Sequence, residues 1–176
     1  MFEWEDIGTK TETEFVLKCI FEKIWNKKII KVFDLYGDIF DWNKKENSYV
    51  CTDDDVYIMF EDNTCLIIGL TDRSSAWIKY VTLSKEELEK YNTINDMFKF
   101  NNVDFEYDLI IGFEVNSFSK EFNKWISNGN TSNMITIPAG GDYFDKIKIL
   151  LKNNTKICLQ AEDAISDGYC DIWIEK

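Results

Sequence analysis

Three acidic side chains alternate with apolar ones in the segment 103–108, which reads Val-Asp-Phe-Glu-Tyr-Asp. In a β-strand, this alternation places the apolar residues on the core face and lines Asp104, Glu106 and Asp108 along the other face, about 6.6 Å apart. Three aligned carboxylates could bind a divalent metal, position a proton or meet the lysines of a partner. The solvated face of an ordinary two-sided strand has the same pattern.

A second acidic cluster, Asp53-Asp54-Asp55, is the densest run of carboxylates in the chain. A calcium loop of the EF-hand type needs oxygen ligands at alternate positions, a central glycine and a distal glutamate. Residues 53–64 lack that glycine and that glutamate. We interpret the cluster as a solvated loop before a strand, and as a weaker candidate than Asp104, Glu106 and Asp108 for contacts with a partner.

The chain contains no histidine. This excludes Ser-His-Asp and Cys-His catalytic sites and zinc sites with a histidine ligand, and it removes the usual general base of neutral pH. The only glycine doublet, Gly140-Gly141, has the spacing of neither a dinucleotide-binding loop nor a P-loop. We therefore predict a binding protein that is not an enzyme and that needs neither a metal nor a cofactor.

Acidic residues outnumber basic ones by 32 to 20, which gives a formal net charge of −12 over 176 residues. A field of this sign repels phosphate backbones and anionic lipid headgroups and attracts a basic protein. We expect no direct contact with nucleic acid or membrane and a partner with a basic surface. With 45% hydrophobic and 15% aromatic residues, the chain is too apolar for a disordered acidic tail.

Several features predict a cytoplasmic protein. Residues 1–6 are acidic where a secretory signal is basic, and no hydrophobic run approaches the roughly 20 residues that span a bilayer. The five cysteines are widely spaced and form no C-x-x-C motif, as expected of buried reduced thiols.

Local patterns predict three helices. Thr11-Glu12-Thr13-Glu14 has the form of a capping box, and Leu17, Ile20, Phe21, Ile24 and Trp25 follow at helical spacing. A second capping box at Ser84 opens a short helix that runs through Tyr91. The apolar residues of 117–127 fit an amphipathic helix, and 128–133 reads as a loop.

The remaining hydrophobic runs predict strands, and two groups of them match. Residues 147–159 can be laid over 56–68 so that Asn154-Thr155 falls on Asn63-Thr64, and an aromatic-rich strand follows each copy. The match fits either an internal repeat or two hairpins that share a common pattern. We predict one α+β domain over residues 1–176, mainly antiparallel sheet built from two related hairpin or meander units, with a few packed helices. A long strand or a bent pair broken near Gly112 is expected over 103–115.

Taken together, the small acidic histidine-free chain, its aromatic-rich sheet and hairpins such as 60–67 resemble the immunity proteins of bacterial contact-dependent inhibition and other polymorphic toxin systems. The resemblance implies an inhibitor that binds a cognate toxin domain, often a nuclease, and blocks its active site. Trp42, which lies among acidic residues, joins the two acidic clusters as a candidate contact. The alternatives are a small metal-dependent hydrolase that uses its carboxylates, and a non-enzymatic adaptor or scaffold. The oligomeric state is left open.

Overall fold

The computed structural model describes residues 10–36, 39–40, 49–72, 75–100, 103–117, 122–128, 131–136, 144–161 and 170–176. These residues form three helices: α1 (Lys10–Ile24), α2 (Lys85–Asn92) and α3 (Met97–Phe100). They also form twelve strands: β1 (Ile29–Phe33), β2 (Ile39–Phe40), β3 (Tyr49–Thr52), β4 (Val56–Phe60), β5 (Thr64–Asp72), β6 (Ser75–Thr82), β7 (Ile110–Ser117), β8 (Phe122–Asn128), β9 (Thr131–Thr136), β10 (Phe144–Leu151), β11 (Lys156–Ala161) and β12 (Cys170–Glu175). None of these helices is long and apolar enough to span a membrane.

The strands form two antiparallel sheets. The smaller has the order β1-β4-β5-β6, and the larger has the order β2-β3-β12-β11-β10-β7-β8-β9. A single bridge between Lys28 and Leu109 connects them where β1 and β7 begin. The predicted fold class, α+β with mainly antiparallel sheet, is confirmed.

The main core lies where the two sheets and α1 meet. The predicted apolar stripe of α1 is confirmed for Leu17, Ile20, Phe21 and Ile24, which are all buried there. Trp25 lies just after the helix and is half-buried against the same core, and α1 begins at Lys10, one residue before the predicted capping box. Strand residues from both sheets join the same cluster, and β5 contacts both β11 and β12. The Phe21 ring meets the edge of the Phe113 ring with centroids 5.4 Å apart, so α1 is tied to β7.

The opposite face of the smaller sheet is also buried. Phe33, Tyr57 and Met59 pack there with Tyr91 of α2, so every residue of β4 is buried. The predicted capping box of α2 is confirmed: the Ser84 hydroxyl accepts from the Glu87 N–H at 3.1 Å, and the Glu87 carboxylate accepts from the Ser84 N–H at 2.7 Å.

The two related meanders are present, as β4-β5-β6 and β10-β11-β12. Their first turns are alike in detail. Asn63 and Asn154 both have positive φ, 64° and 67°. The Asp62 carboxylate accepts from the N–H and hydroxyl of Thr64, and the Asn153 carbonyl oxygen does the same for Thr155.

The likeness extends beyond the hairpins. Strand β4 pairs with β1 and β10 pairs with β7, on the side away from the meander. At matching positions, the Glu61 N–H donates to the Lys28 carbonyl at 3.2 Å and the Lys152 N–H donates to the Leu109 carbonyl at 2.9 Å. Common hairpin patterns would not produce this shared pairing, so the structure favours an internal repeat.

Two expectations for the segment 117–133 are wrong. The predicted helix gives way to β8, which pairs with β7, and β9 begins at Thr131 inside the predicted loop. Phe122, Trp125 and Ile126 have helical spacing, yet aromatic and β-branched residues also favour strands, and pairing with β7 decides between the two. Gly112 lies inside β7, which remains one strand, although its register with β10 shifts between Ile110 and Gly112.

Candidate functional site

Residues 103–108, the acidic segment, run alongside the core without joining either sheet. The predicted strand is therefore wrong here, since β7 begins only at Ile110. The alternation of faces is nevertheless observed. Val103, Phe105 and Tyr107 are half-buried against the core, whereas Asp104 and Glu106 are exposed.

The inward side chains of the acidic segment hold it in place. The Phe105 and Tyr107 rings meet edge to face with centroids 4.9 Å apart, and the Phe98 ring packs on Phe105 at 5.8 Å. The Tyr107 hydroxyl donates to the buried carboxylate of Asp96. Burial, followed by the negative charge of Asp96, raises the pKa of Tyr107 far above its ordinary value, so the phenol remains a donor at any physiological pH.

Backbone contacts fix the same segment at its start and near its end. The Val103 N–H donates to the Phe98 carbonyl at 2.9 Å. The Asn153 amide, from the turn between β10 and β11, donates to the Glu106 carbonyl at 3.0 Å. The Asn153 side-chain oxygen also accepts from the N–H and hydroxyl of Thr155. These bonds orient the amide group that donates to Glu106.

The outward carboxylates differ in their availability. Asp104 and Glu106 form no ion pair or side-chain hydrogen bond with any other described residue. Asp108 is half-buried, and its carboxylate accepts from the Leu109 N–H at 2.7 Å. Of the predicted row of three, Asp104 and Glu106 are therefore the two carboxylates that are exposed.

The second acidic cluster lies elsewhere. Asp53 is exposed and Asp54 and Asp55 are half-buried, in the connection that leads into the start of β4. The acidic segment belongs to a different part of the chain and leads through Leu109, which bridges Lys28, into β7. Trp42 lies outside the described residues.

An exposed tyrosine that follows β1 was missed at the level of the sequence. Tyr36 is 73% exposed, far more than any other large apolar side chain among the described residues. Its backbone N–H donates to the Asp34 carboxylate at 3.1 Å. The Gly37-Asp38 break directly after Tyr36 is the signal that could have placed this residue outside the strand.

The outer face of the larger sheet carries a paired set of charges. Glu175 accepts from Lys148 at 2.7 Å and lies 3.6 Å from Lys156, which in turn lies 3.8 Å from Glu114. The Cys158 thiol lies among these groups, and burial raises its pKa to about 12, so it is not a thiolate nucleophile at neutral pH. All five cysteines are free, and four are buried as the sequence predicts, whereas Cys19 is half-buried.

The Lys148–Glu175 pair makes stability depend on pH. The hydrogen bond from Lys148 lowers the pKa of Glu175 below its ordinary 4.5. Burial alone would lower the pKa of Lys148, but the bond to Glu175 raises it above 10.5. A depressed acid stabilises the fold above its unfolded pKa, and this contribution is lost as the pH falls through the folded pKa.

We therefore expect Glu175→Gln to lower the melting temperature at neutral pH and to leave it unchanged once the pH is below the folded pKa of Glu175. Thermal melts of the two proteins across the acidic range measure this difference. Glu86→Gln, at an exposed position, is the control and should lose little at any pH. A deficit in Glu175→Gln that is the same at every pH would contradict the assignment.

Among the described residues, no group of three cysteine, aspartate or glutamate side chains is arranged to hold a metal ion. Comparison of the chain with protein-family models, with curated proteins and with solved structures found no match.

Proposed function

We propose that this protein is a non-enzymatic immunity protein that binds a basic bacterial toxin domain in the cytoplasm and blocks its active site. The observation that carries the proposal is the pair Asp104 and Glu106. Their carboxylates are exposed and make no bond to another described residue, yet the segment that bears them is anchored on its inner side. Exposed carboxylates on a fixed backbone favour a role in binding a cationic partner over a role in solubility alone.

Electrostatics and rigidity both support this function. A net charge of −12 attracts a basic domain over long distances and raises the association rate at low salt. Because Phe105, Tyr107 and Asn153 already hold the acidic segment, binding does not have to order it, and less affinity is lost to conformational entropy.

Reversing both charges, Asp104→Lys with Glu106→Lys, is expected to weaken binding to the toxin domain at least tenfold, about 1.4 kcal/mol. The matched control is Glu86→Lys with Glu89→Lys, which makes the same change of net charge at exposed positions of α2. Calorimetric titration at two salt concentrations measures both variants. Equal weakening by the two variants would assign the effect to overall charge and would remove the acidic segment from the interface.

The identity of the partner is tested by co-expression with the product of the adjacent upstream gene, followed by affinity purification. We expect a stable complex and protection of the host cell from that gene product. If the neighbouring product neither binds nor is toxic, the immunity function is contradicted.

A further inference from the structure

We draw no further inference here: the strongest candidate, the charged outer face of the larger sheet that bears Glu114, Lys148, Lys156 and Glu175, carries nothing because these side chains pair with one another and nothing in the structure shows what covers them.

Discussion

Asp96→Ala is expected to lower the free energy of unfolding by about 3 kcal/mol, because the buried carboxylate accepts four hydrogen bonds. One oxygen accepts from the Phe98 and Lys99 N–H groups at 3.0 and 2.9 Å, which caps α3. The other accepts from the Val32 N–H at 3.0 Å and from the Tyr107 hydroxyl. Alanine would leave several of these donors buried without an acceptor.

Urea denaturation measures this loss of stability, and two further variants show how much of it comes from individual hydrogen bonds. Tyr107→Phe removes one of the four bonds and should cost about 1 kcal/mol. Asp96→Asn keeps the shape and one carbonyl oxygen, so its cost should lie between the other two. If Asp96→Ala costs no more than Tyr107→Phe, the carboxylate does not join α3, β1 and the acidic segment in the way its contacts indicate.

The same contacts connect stability to the proposed binding surface. Without the Asp96 carboxylate, Tyr107 loses the acceptor that holds the inner side of the acidic segment. Amide exchange at Val103 and Leu109, whose N–H groups bond the Phe98 carbonyl and the Asp108 carboxylate, should then become faster in Asp96→Ala even under conditions where the rest of the protein stays folded.

Features that depend on neighbouring residues could be predicted from the sequence. The capping box at Ser84 is complete within four residues, and the stripe of α1 follows from helical spacing alone. The turns at Asn63 and Asn154 are also local, because the preceding Asp62 and Asn153 bond the threonine that follows. Aligning these turns was enough to predict the two related meanders.

Features that depend on distant residues could not be predicted. Strand β8 forms because β7 offers an edge, although the spacing of Phe122 and Trp125 equally suits a helix. The acidic segment alternates like a strand, but no described strand pairs with it, so alternation predicted its two faces and not its lack of pairing. Asp96 receives a donor from a residue 64 positions away, and no local pattern marks it.

The candidate site was predicted in part for the same reason. Alternation placed Asp104 and Glu106 outward, as they are found. It also placed Asp108 with them, but Asp108 bonds the Leu109 N–H at the point where the chain turns into β7. Asn153 contributes to the site from 47 residues away. The match between the two hairpins predicted the form of its turn, but it did not predict the contact with Glu106.

Phe113→Ala is expected to lower the free energy of unfolding by about 3–5 kcal/mol, the range for removing a large aromatic side chain from a core. Phe113 is fully buried in β7 and packs edge to face on Phe21 of α1, so alanine would open a cavity between the larger sheet and the helix. Aromatic pairing adds to the area that is lost. The urea concentration at the midpoint of unfolding should therefore be lower for the variant than for the original protein.

The matched control is Phe15→Ala, the same substitution on the outer side of α1, where the side chain is 52% exposed and less apolar area is lost. Its cost should stay below about 1 kcal/mol. Because the cluster around Phe113 includes residues of both sheets, the variant should unfold in one transition whether followed by tryptophan fluorescence or by circular dichroism. Separate transitions by the two probes would mean that the two meanders, although they share a core, unfold as independent units.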